Sequence, residues 1–332
     1  MQFSKKNMKI AIEKYPFILN EKIGPYIFLE RISKQFKNKN INLTNKFNPF
    51  YDFAVFANTN KSIYKKPYFL RIGGIFFDKK NTATNTVEAN KEIFDSIDNS
   101  IGTIFISEFT KKLVKKFHKD LKVPNIVINN SVPLNIFSSK GNNFRDKLNL
   151  KSNDFVIITS AAWRRHKRLD EIIRLFYKLK KEINNLKLII LGEYNLKKID
   201  PDIILAGKIH HYKLPEWYRT ANVYVHLSWI DQNPNTLVEA IACGLPSLCT
   251  NNGGTHELIQ KTNSGIVSNA DKNYDYQLVD YYNPPEPNYD LLINDFMKIY
   301  NNYEKFKKNI NTNPIDINSA AVKYLNFFQE NT

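Results

Sequence analysis

The run HLSWIDQNPNTLVEAIACGLPSLCTNNGGTHE, His226–Glu257, holds a strand end, a polar loop, a helix and a second strand in close succession. A strand is predicted to end at Leu227 and a helix to begin near Asn233. Asn is a good N-cap, Pro234 suits the first helical position, and Leu237, Val238 and Ile241 recur at helical spacing until Gly244 closes the element. A helix that begins just past a strand turns unpaired N–H groups and the positive end of its dipole toward any anion there, which suits a diphosphate. Asn233, Asn235 and Thr236 lie at that end. Glu239 follows one turn in, where a carboxylate can accept hydrogen bonds from two vicinal hydroxyls such as a ribose offers. Asp231 stands eight residues earlier, in the loop.

Outward from this run, strand-like and helix-like segments alternate along the chain, the pattern of parallel sheets covered by helices. The first half offers strands at Met8–Ile12, Asp52–Ala57, Tyr68–Ile72, Thr103–Ile106 and Asn125–Asn129, and a helix over Glu108–Leu121 with Phe109, Leu113, Val114 and Phe117 on its apolar side. Polar residues from Ser138 to Asn143 mark a linker. The second half offers strands at Phe155–Thr159, Leu186–Leu191, Ile203–Ala206, Val223–Leu227, Ser247–Thr250 and Gly265–Val267, with an amphipathic helix carrying Leu169, Ile172, Phe176, Leu179 and Ile183. The prolines at 284, 285 and 287 exclude regular structure from Tyr281 to Asn288, and Ser319–Gln329 reads as a helix again. This gives an N-terminal domain over 1–143, a C-terminal domain over 144–312, and a terminal helical segment, 313–332, packing back on the first.

A chain of 332 residues, 42% hydrophobic, has the material for two ordinary domains. No stretch approaches the ~20 apolar residues of a membrane span, and the first residues do not read as a signal peptide, so a cytoplasmic location is expected. Cys243 and Cys249 are the only cysteines, too few for a disulfide framework. Forty-eight Lys and Arg against 32 Asp and Glu give a net charge of +16, spread along the chain rather than gathered in a stripe. That balance favours anionic partners without naming one.

The acidic pair Asp231 and Glu239, followed by Ala242-Cys243-Gly244-Leu245-Pro246, resembles the signature of the family-4 retaining glycosyltransferases (glycosyl transferases group 1), in which two glutamates are separated by seven residues. Here the first is Asp. The likeness continues through Gly253, Gly254, Thr255 and Glu257 and back through Leu214, Tyr218, Ala221 and Asn222. It implies the GT-B fold, an α/β architecture of two Rossmann-like doubly wound parallel-sheet domains facing a central cleft. By the same resemblance Glu239 holds the nucleotide ribose and Asp231 lies near the transferred sugar or the acceptor. Lys167 occupies the position of a diphosphate-binding lysine. The companion arginine would fall on Ala162, so Arg164 or Arg165 substitutes. Gly192, Lys208 and Gly24 complete the donor set, with Lys208 where the backbone meets the base and Gly24 beside the phosphates or the acceptor.

The resemblance implies retaining transfer of a hexose-type sugar from a nucleotide sugar, a UDP- or GDP-sugar, to a glycan, lipid or other acceptor, with no metal and no separate cofactor. Two other classes stay open: a sugar-nucleotide epimerase, and a silent GT-B protein that binds carbohydrate or nucleic acid. Each residue also has a plain reading: Glu239 as a helix carboxylate, Asp231 as a turn former, Lys167, Arg164 and Arg165 as a solvated basic cluster, His226 as a packed strand residue. The lysines of Glu108–Lys122 are either a solvated face or a contact for an anionic membrane surface.

Overall fold

The computed structural model describes residues 8–16, 24–79, 86–194 and 200–332. They fall into two compact units. The first takes the chain to Pro133 together with Tyr276–Val279 and Ile315–Thr332; the second takes Leu134–Asp275 and Asp280–Pro314. The division lies at Pro133/Leu134, ten residues before the expected 143/144, because the polar stretch is bound into the second unit. Arg219 donates to the carbonyls of Asn142, at 2.8 Å, and Ser138, at 3.2 Å, and Phe137 meets His211 edge-on at 5.4 Å.

In the first unit β1 (Lys9–Ile12), β2 (Asn42–Thr44), β3 (Phe53–Ala57), β4 (Tyr68–Ile72), β5 (Gly102–Phe105) and β6 (Asn125–Val127) form a sheet in the order β2-β1-β3-β4-β5-β6. Every pair is parallel. Helices α1 (Gly24–Asn38), α2 (Thr86–Ala89), α3 (Lys91–Asp98) and α4 (Glu108–Phe117) connect them. Strands β3 and β4 are buried at every position, as strands covered on both faces by helices must be. The three-residue β2 was not anticipated, since Asn-Leu-Thr is too short to show a period. Helix α4 stops at Phe117, short of the expected Leu121, where His118 turns out of helical geometry.

In the second unit β7 (Phe155–Ser160), β8 (Leu186–Leu191), β9 (Ile203–Gly207), β10 (Val223–His226), β11 (Ser247–Thr250) and β12 (Gly265–Ser268) pair in the order β12-β11-β10-β7-β8-β9. All neighbours are again parallel. Around them run α5 (Leu169–Leu179), α6 (Leu214–Thr220), α7 (Asn235–Ala242), α8 (Thr255–Thr262), α9 (Tyr289–Asn301) and α10 (Tyr303–Asn309). Helix α7 starts one residue later than expected: Pro234 is extended (ψ 127°) and is itself the cap residue, with Asn233 before it. Among the described residues no helix is long and apolar enough to cross a membrane.

The last helix, α11 (Ile317–Glu330), belongs to the first unit. Val132 donates its N–H to the Ile315 carbonyl and accepts the N–H of Ile317, a short parallel bridge beside Asp316 that delivers the chain to it. Tyr324, Phe327 and Phe328 then enter a core with Phe36, Phe53 and Phe69. The Phe328 ring lies 4.5 Å from Phe69, 5.0 Å from Phe53 and 6.1 Å from Phe36, tilted or edge-on, as ring quadrupoles prefer. Phe328→Ala is expected to cost about 3–5 kcal/mol through the cavity it leaves. Urea denaturation followed by circular dichroism measures this; an unchanged midpoint would refute the anchoring role of α11.

Candidate active site

Numbered from its own first strand, the second sheet has the order 3-2-1-4-5-6, with the reversal between β7 and β10. β7 and β10 are neighbours from which the chain leaves toward opposite sides, and the crevice outside the carboxyl ends at such a reversal is the place where these sheets bind ligands. The loop after β7 carries Arg164, Arg165 and Lys167; the loop after β10 carries Asp231. The structure brings Lys167 and Asp231 together across the reversal, with the ammonium donating to Asp231 Oδ2.

Asp231 is held in place by its backbone as well. Ile230 takes a left-handed conformation (φ 56°), and the Asp231 carbonyl accepts the N–H of Gly254 at 2.7 Å. Gly253 is required beside it. At φ +84° a Cβ would fall 2.2 Å from the Asp231 carbonyl oxygen. His226, at the end of β10, sets its Nε2 3.5 Å from the same carboxylate oxygen. Burial pulls against ionisation of Asp231, but the Lys167 charge and His226 outweigh it and hold the carboxyl well below its usual range. The burial of His226 lowers its own pKa, opposed by Asp231.

Beneath Lys167 lies a rigid base. Arg168 is fully buried with a left-handed backbone (φ 56°), and its two terminal nitrogens each donate to Asp271 at 2.9 Å and one of them to the Pro285 carbonyl at 2.6 Å. A bidentate pair of this kind fixes both partners. His166 is buried, stacks on Tyr281 at 4.3 Å, and offers its carbonyl to the N–H of Trp229 at 2.8 Å, which ties the two crevice loops together. Its pKa is lowered to about 3, by burial first and by the charge of Lys167 second.

The second carboxylate, Glu239, is 2% exposed and sits in different company. Tyr218 donates to its Oε2 at 3.3 Å, and His211 Nε2 lies 3.3 Å from Oε1. Tyr224 packs edge-on against Tyr218 and donates to the Ser160 carbonyl at 3.2 Å, joining the end of β7 to this group. Asn233 is buried and Asn235 and Thr236 half-buried at the start of α7. Gly192 follows β8 at φ +107°, where a Cβ would fall 2.1 Å from the Ala161 carbonyl. Lys208 is exposed beyond β9, and Gly24 opens α1 in the first unit.

The arginines divide. Arg165 donates to Glu171 at 2.6 Å and lies 3.8 Å from Asp170, so its charge is engaged at the start of α5, while Arg164 is exposed. Asp200 and Asp202, before β9, are paired with lysines, Lys180 contacting both carboxylates and Lys187 the second. Sequence reasoning took His226 for a packed strand residue and gave Arg168 and His211 no part in the site. His226 carried the signal of a histidine ending a strand eight residues after Tyr218; Arg168 and His211 carried none apart from their neighbours, since burial and partner choice are tertiary facts.

Two all-parallel Rossmann-like units define the GT-B fold, and solved structures share it. Sucrose-phosphate synthase from Thermosynechococcus elongatus superposes with a TM-score of 0.73 at 12% identity, over 98% of this chain and 99% of that one. HepE of Anabaena, solved in complex with UDP and glucose, gives 0.70 at 14% identity over 98% and 100%. Within the second unit the likeness extends to sequence: residues 141–277 match the family model for glycosyl transferases group 1. The alpha-monoglucosyldiacylglycerol synthase of Acholeplasma laidlawii is 23% identical over 152 residues, 43% of this chain and 38% of that protein. The chain thus matches well under two thirds of that relative's length. The resemblance to glycosyl transferases group 1 read from residues 226–257 is borne out for this region.

A buried neutral histidine makes stability depend on pH in a defined direction. The His166 pKa is depressed from 6.5 to about 3, so below pH 6.5 the unfolded chain binds a proton that the folded chain refuses, and stability falls as pH drops through that window. His226 acts in the same direction, whereas Asp231 loses its contribution only below about pH 3.8. His166→Phe, which keeps a ring against Tyr281, should flatten the fall of the urea midpoint between pH 6.5 and 4. An unaltered slope would show that His166 is accessible to protons in the folded state.

Proposed function

We propose that this protein is a retaining glycosyltransferase that moves a hexose-type sugar from a nucleoside diphosphate sugar to a glycan, lipid or other hydroxyl-bearing acceptor. The observation that carries the reading is the meeting of Lys167 and Asp231 across the strand reversal of the second unit, with Glu239 one helical turn into α7. A cation, a helix start and a carboxylate in that order suit a diphosphate followed by a ribose. The match to glycosyl transferases group 1 and the complex of HepE with UDP and glucose support a uridine nucleotide donor.

On this reading Glu239 accepts the two ribose hydroxyls in place of Tyr218 and His211. Lys167, with Arg164 beside it, neutralises the diphosphate, and the backbone of Asn233, Asn235 and Thr236 adds N–H groups at the positive end of α7. Gly192 leaves room for the donor beside β8, and Lys208 borders the base. As the bond between the anomeric carbon and phosphate oxygen breaks, its electron pair leaves with the diphosphate. The acceptor oxygen bonds to the same face of the sugar and passes its proton to the departing phosphate. Lys167 stabilises the negative charge that grows on the leaving group, and Asp231 orients the sugar hydroxyls and the ammonium together. No metal is required in this scheme. The protein works in the cytoplasm, where lysines of α4 meet acidic lipid headgroups when the acceptor is membrane-borne.

Titration calorimetry with UDP, GDP and ADP in EDTA tests the donor site. One nucleotide should bind selectively and Glu239→Ala should abolish it; binding of none would remove the glycosyltransferase reading. Lys167→Met should lower turnover by about 10²–10³-fold. Asp231→Asn should keep nucleotide affinity within a few-fold and lose transfer, and loss of both would make Asp231 a structural residue only.

A further inference from the structure

Large apolar side chains of the first unit face solvent on two loops that are tied to each other. Phe47 is 65% exposed and Phe50 75% in the loop after β2, and Ile63 is 56% exposed in the loop after β3. The Tyr64 hydroxyl donates to the Phe47 carbonyl at 3.0 Å, Lys66 Nζ donates to the Tyr51 carbonyl at 2.6 Å, and the Tyr51 and Ser62 hydroxyls lie 3.3 Å apart. These bonds hold the three apolar side chains outward on a fixed frame. Lys46 rides over the Phe47 ring at 5.4 Å and Lys65 is exposed. Between residues 45 and 66 the only acidic residue is Asp52. Its carboxylate is turned to the sheet, accepting the N–H of Lys9 at 2.8 Å.

Single exposed apolar residues are ordinary on a soluble surface, but neighbouring aromatics ringed by one sign of charge ask for a partner. We propose that this face, built from residues 45–51 and 62–66, docks on an anionic lipid bilayer. The phenyl rings enter the zone between headgroups and acyl chains while the lysines meet the lipid phosphates. The chemistry is divided as an interfacial anchor requires, with apolar tips for depth and basic residues for attraction. Helix α4 differs on this point. Its Phe109, Leu113 and Val114 are buried in the unit, so its exposed Lys112, Lys115 and Lys116 can draw the protein toward acidic lipid but have nothing to insert. A protein partner matching the same face would need an acidic rim around an apolar pocket, whereas a bilayer supplies both everywhere.

Sedimentation of the full chain with phosphatidylcholine vesicles, with and without about a third phosphatidylglycerol, tests the proposal without any donor or acceptor. Binding is expected only to the anionic vesicles, and the double variant Phe47→Ser, Phe50→Ser should weaken it at least about tenfold. Lys46→Gln with Lys65→Gln should weaken it as well and reduce its salt dependence. Both pairs lie outside the core, so an unchanged urea midpoint separates lost docking from lost folding. The proposal fails if no vesicle binds. It also fails if binding survives the aromatic variant and disappears with Lys112, Lys115 and Lys116 changed to Gln, or if the aromatic variant instead abolishes self-association seen by sedimentation velocity.

Discussion

A carboxylate taken out of water stays ionised only if a cation or several donors replace the solvent, and Asp231 meets that condition through Lys167. Much of the second unit serves this one pairing. The reversal between β7 and β10 brings the two loops side by side, the left-handed Ile230 and the crowded Gly253 aim the carboxylate, and the buried Arg168–Asp271 pair fixes the turn from which Lys167 reaches out. Remove the pairing and the strain at Ile230 and the burial of Arg168 lose their purpose.

The two acidic residues of the signature therefore have unlike electrostatic situations. Asp231 is already compensated by a full positive charge. Glu239 rests against a tyrosine hydroxyl and an imidazole, donors of the kind a sugar can replace one for one. Exchanging hydroxyl for hydroxyl at Glu239 changes little charge, whereas drawing Lys167 toward a phosphate leaves Asp231 to find another donor. On the proposed reaction the arrival of the donor would loosen Asp231 as it engages Lys167, coupling phosphate binding to the orientation of the sugar.

The alternation of strands and helices was legible because strands buried on both faces read as apolar runs, residues 155–158 and Phe53–Ala57 among them. The start of α7 was read one residue early because Asn-Pro satisfies the local rules for a cap, while Pro234 in fact stays extended. Strand β2 escaped notice because three residues paired with β1 owe their form to the neighbouring strand. Asp231 and Glu239 could be singled out from their places after a strand and at a helix start, whereas Lys167 came from the resemblance to glycosyl transferases group 1. Nothing local distinguishes Arg168 from Arg165, yet one is entombed on Asp271 and the other, exposed, reaches down to the buried Glu171 at the start of α5. Proximity across 103 residues is a property of topology, not of neighbours in the chain.

Helix α11 carries a consequence for the order of synthesis. The first unit is begun by the first strands made, but Tyr324, Phe327 and Phe328 complete its core only after the whole second unit has been translated. On the ribosome the later-made unit can close first. The earlier one lacks the rings that cover Phe53 and Phe69 until residues near 328 emerge, so the aromatic face of its sheet is completed last.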